Sequence, residues 1–450
     1  MSTPVPATAA ARDLSELVGA VFERWRAEGV AFLVLRNYEG LPRETGNDID
    51  LLVLPEQLAK AERLLVSAAQ QAGYHLHNRA EFSPVVLFFH NPSSRWQVQF
   101  DLYCSLKWRS LPLLCARTVL AQRLDRGLFA VPHPVHEAVN SLLTRLIFHG
   151  YVKQDYRPII LAGVKQDPVE ATTIMAEMFG EKVACKLTGG ILAERWSEVE
   201  SLAGAIRRQL IWRRLTRQPL AMSVSLWHDL GRFARRLWRP PGMTIVLLGA
   251  DGCGKSTVAT RLTDALRHTF APDKGLVVHW KPSVFLRRRR AERPPTTDPH
   301  GRAPRGRVAS AAMLVYHFLE YLVGACLQFV PVLFRNGLVL VDRYYYDFSV
   351  DPRRYRLRSF GTLFGALFRL LPSPDLVFLL DAPPEVLRSR KQEVPEEETR
   401  RQREAYRKLA ASLPCARTID CAQALEAVVK DITSEVLRYL EARQERRLKR

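Results

Sequence analysis

The sequence predicts an α/β protein: a parallel sheet with helices on both faces in the C-terminal part, preceded by a smaller α+β unit. Three observations carry this. From residue 241 onward, short apolar strands (TIVLLG, GLVVHWKP, LVLVD at 338–342, DLVFLLD at 375–381) alternate with helical stretches, the pattern of a parallel sheet covered on both faces. The first of them runs into GADGCGKST, residues 249–257, which fits G-x-x-x-x-G-K-[ST]. Ahead of this, AFLVLRNY (31–38), DIDLLVLP (48–55), VVLFFHN and WQVQFDLY (96–103) read as strands, and the chain after about residue 110 reads as mainly helical.

Taken in order, the early strands are rich in Val, Leu and Ile. PEQLAKAERLLVSAAQQAG between them reads as a helix, opened by Pro55 and Glu56 and closed by Gly73. Residues 1–204 are expected to form the first domain. Residues 205–240 set nine arginines against a single acid, Asp229, with Trp212, Trp227 and Trp238 interleaved. This segment reads as a basic connector packing its apolar stripe on one of the domains; the alternative is a helix lying in a membrane interface. PPG (240–242) punctuates the boundary, and residues 241–450 form the second domain.

There the loop leads into a helix, STVATRLTDALRHTF. Residues 286–307 are loaded with Arg and Pro, and read either as a solvated loop or as a flap that closes on an anionic ligand. SAAMLVYHFLEYLVGACLQFVPVLF (310–334) is long enough to span a bilayer. It contains His317, Glu320 and Gln328, and an intramembrane Glu is expensive, so a buried helix is expected.

The 450 residues are enough for two or three domains, with the apolar and charged fractions of an ordinary globular protein. The net charge of +20 is unevenly spread. Residues 1–200 carry 21 Lys+Arg against 22 Asp+Glu, and residues 201–450 carry 45 against 24. The basic second half suits polyanionic partners: nucleotides, nucleic acid or an anionic membrane surface. Seven cysteines without a CxxC pair point to neither a zinc ribbon nor a disulfide framework, and so to a reducing cytosol. The N-terminal stretch lacks a basic region followed by an apolar core and does not read as a secretory signal.

The loop at 249–257 is built for phosphate. Its glycines let the backbone wrap the anion, and the following helix adds its positive N-terminal end. Lys255 would bridge β- and γ-phosphates and Ser256 would ligate Mg²⁺. The triphosphate site is thus expected at Gly249, Asp251, Gly252, Cys253, Gly254, Lys255, Ser256 and Thr257. No NKxD or LSGGQ-type signature is visible, which weighs against a small GTPase or a transporter ATPase. Asp342 and Arg343 end one strand, Asp381 ends another, and Arg388, Arg390 and Lys391 follow it. Ligands of parallel α/β sheets gather at those carboxyl ends.

Residues 249–256, 342–344 and 380–391 resemble the thymidylate kinase family, which pairs such a loop with a D-R-[YFH] motif, a strand ending LDxxPE and an Arg-rich lid. The resemblance covers slightly under half the chain. It implies ATP as phosphoryl donor, a small-molecule acceptor, Mg²⁺ held by Ser256 and Asp342, and a dimer. It also implies that Asp251 lies near acceptor and metal, that Arg343 holds the acceptor phosphate, and that arginines from Arg388 onward close over the donor. The chain departs from the family at Trp280-Lys281-Pro282-Ser283, at Asp347, and in the added segments 286–307 and 351–358. These departures leave the acceptor open.

In the first domain, Asp48 and Asp50 stand two apart, so both carboxylates share one face of a strand, and Asp101 follows another strand. Three convergent carboxylates can hold two Mg²⁺ ions. This resembles the polymerase-β-type nucleotidyltransferase superfamily, except that LRNYEGLPRET replaces its Gly-Ser turn, with Arg36 or Gly40 as the available substitutes. Either an active transferase or a degenerate domain that binds a ligand or supports the kinase fits. His149, on an apolar helix face, reads as a core histidine.

The expectation is a cytoplasmic two-domain phosphotransferase using ATP and Mg²⁺. The alternatives are a nucleotide-sensing regulator or scaffold, and a protein peripheral to anionic membranes or polyanions through 205–240 and 286–307.

Overall fold

The computed structural model describes residues 7–45, 48–92, 97–108, 110–217, 219–267, 269–270, 275–282, 284, 303–358, 361–391 and 395–448. Ser283 and residues 286–302 of the expected flap lie outside the described residues. The chain divides into two compact units, Met1–Arg235 and Arg236–Arg450.

The first unit opens with α1 (Ala7–Ala27), β1 (Phe32–Val34), β2 (Ile49–Val53) and α2 (Leu58–Gln71). Next come β3 (His75–Glu81), β4 (Val85–His90), β5 (Gln97–Tyr103), the hairpin β6 (Leu106–Trp108) and β7 (Leu111–Leu114), α3 (Ala116–Ala121), β8 (Leu124–Asp125) and β9 (Ala130–Val131). The helices α4 (Pro134–His149), α5 (Arg157–Gln166), α6 (Pro168–Phe179), α7 (Glu181–Leu192), α8 (Trp196–Ser201), α9 (Ala203–Arg217) and α10 (Pro219–Trp238) complete it, α10 ending beyond the boundary at Arg235.

Its five-stranded sheet runs β1-β2-β5-β4-β3, mixed, with β2 and β5 parallel. Strand alternation divides the core. Ile49, Leu51 and Val53 of β2 and Phe100 and Leu102 of β5 pack with α1 and α2, while Leu52 packs on the other face with the helices from α3 onward. Asp50 and Asp101 therefore share the face of Leu52. Ile206 and Leu210 of α9 are fully buried in that second core, so the first unit runs through most of the basic segment 205–240. His149 differs from expectation: it is exposed in the last turn of α4, because the helix stops at Gly150 in a left-handed cap and its final turn leaves the core.

The second unit contains β10 (Met243–Leu248), α11 (Lys255–Ala265), β11 (Leu276–His279), α12 (Arg307–Gly324), α13 (Val330–Phe334), β12 (Leu338–Asp342) and α14 (Asp347–Val350). It continues with α15 (Gly361–Phe368), β13 (Leu376–Asp381), α16 (Pro384–Arg390), α17 (Glu396–Ser412), β14 (Ala416–Asp420) and α18 (Leu425–Leu448). The sheet order is β11-β12-β10-β13-β14, every pair parallel.

Alternate residues of its strands again feed two cores. Ile245 and Leu247 pack with α11 and α18, and Val246 and Leu248 pack with α12 and α17. The architecture is the α/β one predicted, a five-stranded parallel sheet flanked by helices. Arg307–Phe334 is the one helix among the described residues long and apolar enough to cross a membrane, at mean hydropathy 1.5 over its best window. Its inner face carries Leu314, His317, Phe318, Glu320 and Tyr321, all buried, and Glu320 is paired with Lys281.

Candidate functional site

In the second unit, β10 delivers residues 249–254 to the carboxyl edge of the sheet before α11 begins at Lys255. The glycines are required by backbone shape. Gly249 and Gly252 have φ of 146° and 87°, and a Cβ would fall 2.5 Å from the Leu380 carbonyl oxygen at the first and 2.4 Å from that of Leu387 at the second. Lys255 is buried, and its Nζ donates to the carbonyl oxygens of Gly249 at 2.8 Å and Ala250 at 3.0 Å, with Cys253 Sγ at 3.5 Å. Its charge is thus curled inside the loop. Ser256 and Thr257 are exposed on the first turn of α11.

Asp342 ends β12 beside that turn. Ser256 Oγ donates to its Oδ2 at 3.3 Å, and His279 Nδ1 lies 2.9 Å from the same oxygen. The other carboxylate oxygen, Oδ1, is buried and has no hydrogen-bond partner. Burial pushes this carboxyl up, but the hydrogen bond from His279 and the charges of Lys255 and Arg343 outweigh that and hold it below the usual range. An ionised, half-satisfied carboxylate next to the loop hydroxyl is a donor set suited to a divalent cation.

Arg343 follows at φ 63°, a left-handed conformation unusual for a side chain of its size, fixed in part by its N–H bond to the Leu247 carbonyl at 3.0 Å. This turn aims the guanidinium back over the loop. One amino group bonds Asp347 at 2.9 Å and the other pairs with Asp251. Arg354 reaches Asp251 from the far side at 2.8 Å. Burial pushes the Asp251 carboxyl up, yet Arg343, Lys255 and Arg354 together hold it well below the usual carboxylate range. Asp251 is therefore a fixed anion that positions two guanidiniums.

The lid arginines sit beside this loop. The last turn of α16 packs on Gly252 through the Leu387 carbonyl and Lys391 Cβ. Arg390 donates to the Cys421 carbonyl at 2.9 Å, and Arg388 lies 4.0 Å from Glu396. Arg403 of α17 grips Asp381 with two bonds, 2.7 and 2.9 Å, and Arg407 stands 3.5 Å from it. Asp342, Arg343 and Asp381 thus stand at the carboxyl ends of their strands, around the loop. Arg354 and His279 belong to the same array and were not singled out by sequence, although DPRRYRLR marks the segment of Arg354 as an addition. Arg403 falls among the arginines from Arg388 onward that the resemblance sets over the donor, in a helix whose i,i+4 charge patterning also has a purely local reading.

The first unit holds a separate cluster. Asp50 on β2 is directly opposite Asp101 on β5, and Asp48 immediately precedes β2. One oxygen from each lies within 4.8 Å of the others. Arg36 Nε and Nη2 bond Asp50 at 2.5 and 3.1 Å. Burial, reinforced by Asp48 and Asp50, raises the Asp101 carboxyl to about 7 despite a hydrogen bond from Gln99. Asp48 is raised too, by burial and by Asp50. Crowded, destabilised carboxylates of this kind gain from a cation between them.

The chain is similar to thymidylate kinases. Over 151 residues it is 29% identical to thymidylate kinase of Xanthomonas oryzae pv. oryzae, in strains PXO99A, MAFF 311018 and KACC10331 / KXO85. The match takes in 32% of this chain and spans 59% of the length of those curated relatives. Among solved structures, thymidylate kinase from Ehrlichia chaffeensis aligns at 18% identity and TM-score 0.33, over 44% of this chain and 100% of its own. That of Candida albicans aligns at 16% identity and TM-score 0.33, over 44% and 93%. No protein-family model matches the chain.

Proposed function

We propose that the second unit binds ATP with Mg²⁺ and transfers the γ-phosphoryl group to a small phosphate- or hydroxyl-bearing acceptor. The observation that carries this reading is Asp342, whose buried Oδ1 has no hydrogen-bond partner while Oδ2 meets the Ser256 hydroxyl. Ser256 and Asp342 would hold the ion, which supplies charge neutralisation on the β- and γ-phosphates. The similarity to thymidylate kinases over 151 residues supports the same reading.

Such a transfer asks the protein for position and charge rather than covalent chemistry. An acceptor oxygen attacks the γ-phosphorus, the bond to the β,γ-bridging oxygen breaks, and ADP leaves; a phosphate acceptor brings an oxygen already deprotonated, whereas a hydroxyl acceptor releases its proton to solvent. Lys255 would exchange its bonds to Gly249 and Ala250 for phosphate oxygens. Arg343 and Arg354, held by Asp251, present two cations to an anionic acceptor, and Asp251 itself is too acidic to serve as a base. No arginine lies within residues 249–256, so Arg388, Arg390 or Arg403 would supply the cation that meets charge developing in transfer. The decisive experiment is ADP release measured across an acceptor panel beginning with dTMP. Stimulation by one acceptor is expected; ATP binding without stimulation by any would favour a nucleotide sensor instead.

A second reading applies to the first unit. The three carboxylates Asp48, Asp50 and Asp101 favour a divalent-cation site of the kind that serves nucleotidyl transfer, with Arg36 at its rim. Binding of Mn²⁺ to the full chain that is lost in Asp50→Asn is expected; equal binding by that variant would remove this reading.

A further inference from the structure

The first unit holds a cavity of about 420 Å³ between β7, α3, α4, α6 and α9, and none of the three carboxylates lines it. Its floor is apolar: Leu113, Leu114, Val119 and Met178 line it and are buried. Cys115 and Thr118 stand at its mouth, where both are exposed. A cleft of this volume with an apolar floor and a few polar groups has the make-up of a small-ligand site.

The charge of the wall sets the ligand. Arg213 and Arg214, in the last turn of α9, both line the cavity. Each bonds a main-chain carbonyl, Arg213 Nη1 that of Ala176 at 3.3 Å and Arg214 Nη2 that of Pro112 at 3.0 Å. A carbonyl takes one of the five N–H groups of a guanidinium and cancels none of its charge. Gly180, at φ 86°, leaves room for this arrangement, since a Cβ there would fall 2.7 Å from Arg213 Nη2. Burial pulls the Arg214 guanidinium below its usual value, and the charge of Glu177, also on the wall, offsets this only in part. His136 is 3% exposed, its Nδ1 has no hydrogen-bond partner, and burial lowers its imidazole, so it adds a polar group without a charge at pH 7. Two guanidiniums against one carboxylate leave one positive charge in excess, which suits a monoanion better than a dianion. The planar guanidinium fork matches a carboxylate, and the apolar floor asks for an aliphatic chain.

We propose that this cavity binds a small aliphatic carboxylate, its chain on the apolar floor and its head group on Arg213 and Arg214. Cys115 at the mouth reports occupancy. The Thr118 N–H bonded to its sulfur lowers the thiol from its usual value, which favours alkylation, and Cys185, exposed on α7 away from the cavity, is an internal control. The test is alkylation of the full-length chain by iodoacetamide at pH 7, followed at both cysteines by peptide mass spectrometry, with octanoate as the probe. Saturating octanoate should slow alkylation of Cys115 about tenfold and leave Cys185 unchanged. Octan-1-ol at the same concentration should protect far less. In Arg214→Gln the octanoate concentration giving half-protection should rise about tenfold or more, while Cys185 reacts as in wild type. No protection of Cys115 in wild type would overturn the proposal, as would equal slowing at Cys185. Equal protection by octan-1-ol, or unchanged half-protection in Arg214→Gln, would overturn it too, by showing that the arginines do not read the carboxylate.

Discussion

Arg343 donates to Asp347 at 2.9 Å in the buried interior of the second unit, and the other side of its guanidinium pairs with Asp251 of the phosphate loop. Asp347 is fully buried and also accepts hydrogen bonds from Tyr355 at 3.0 Å and Tyr406 at 2.5 Å. The loop is thereby tied through one arginine to α14, to the added segment 351–358 and to α17.

That tie makes Asp347 a stability position as well as a positioning one. Asp347→Ala leaves Arg343 buried with half its compensation and two tyrosine hydroxyls without an acceptor. The expected cost is about 3 kcal/mol or more, read by chemical denaturation. A loss below about 1 kcal/mol would show that the network carries little energy.

The backbone of the loop yields a sharper prediction. Gly252→Ala places a methyl group against the Leu387 carbonyl at a φ that disfavours any side chain. Nucleotide affinity should fall at least about tenfold, since the loop must leave its cradle to relieve the contact. Titration with a fluorescent ATP analogue measures it, and unchanged affinity would mean the loop geometry is not the binding geometry.

Acid sensitivity should come in part from His317. Burial, with Lys281 and Arg305 nearby, lowers this imidazole to about 3. Its folded value lies below its unfolded one, so the unfolded state binds the extra proton, and stability falls as pH drops from about 6.5 toward about 3. His317→Phe keeps the stacking on Phe348 and removes the titration. Near pH 5 wild type should have lost about 2 kcal/mol more, relative to neutral pH, than the variant. Parallel pH profiles would contradict this.

Cation binding in the first unit should be separable from ATP chemistry in the second. Asp50→Asn is expected to lower Mn²⁺ affinity of the first unit about tenfold or more while leaving ADP formation unchanged. Calorimetry with Mn²⁺ beside an ADP assay reads both. A parallel loss of the two would mean one site, not two.

Much of the second unit was legible because its inner strands are continuous apolar runs. LVLVD at 338–342 is one such run and forms β12, and the acids closing β12 and β13 stand where a parallel sheet collects its ligands. β14 was not legible: of ARTID only Ile419 is buried, so an edge strand left no apolar run to find. Arg354 reaches the site through a tertiary contact with Asp251 from a segment that reads only as an addition, whereas Arg403 lies in the Arg-rich stretch already placed over the donor, and only its pairing with Asp381 could not be read. The carboxylates of the first unit could be read from spacing, but their tuning could not, since the burial of Asp101 depends on the strand register. α10 marks another limit. Amphipathicity is written in the sequence, whereas the inward turn of its polar face rests on Lys107, Ser110 and Glu81, far away in the chain.

The central claim, phosphoryl transfer from ATP at the loop of residues 249–257, is tested most directly by acceptor-dependent ADP formation in Lys255→Ala beside wild type. Removing the one lysine of the loop should reduce turnover by about a hundredfold or more while the fold persists, as for other loss of positioned charge in a phosphoryl-transfer site. Turnover equal to wild type in Lys255→Ala would contradict the account.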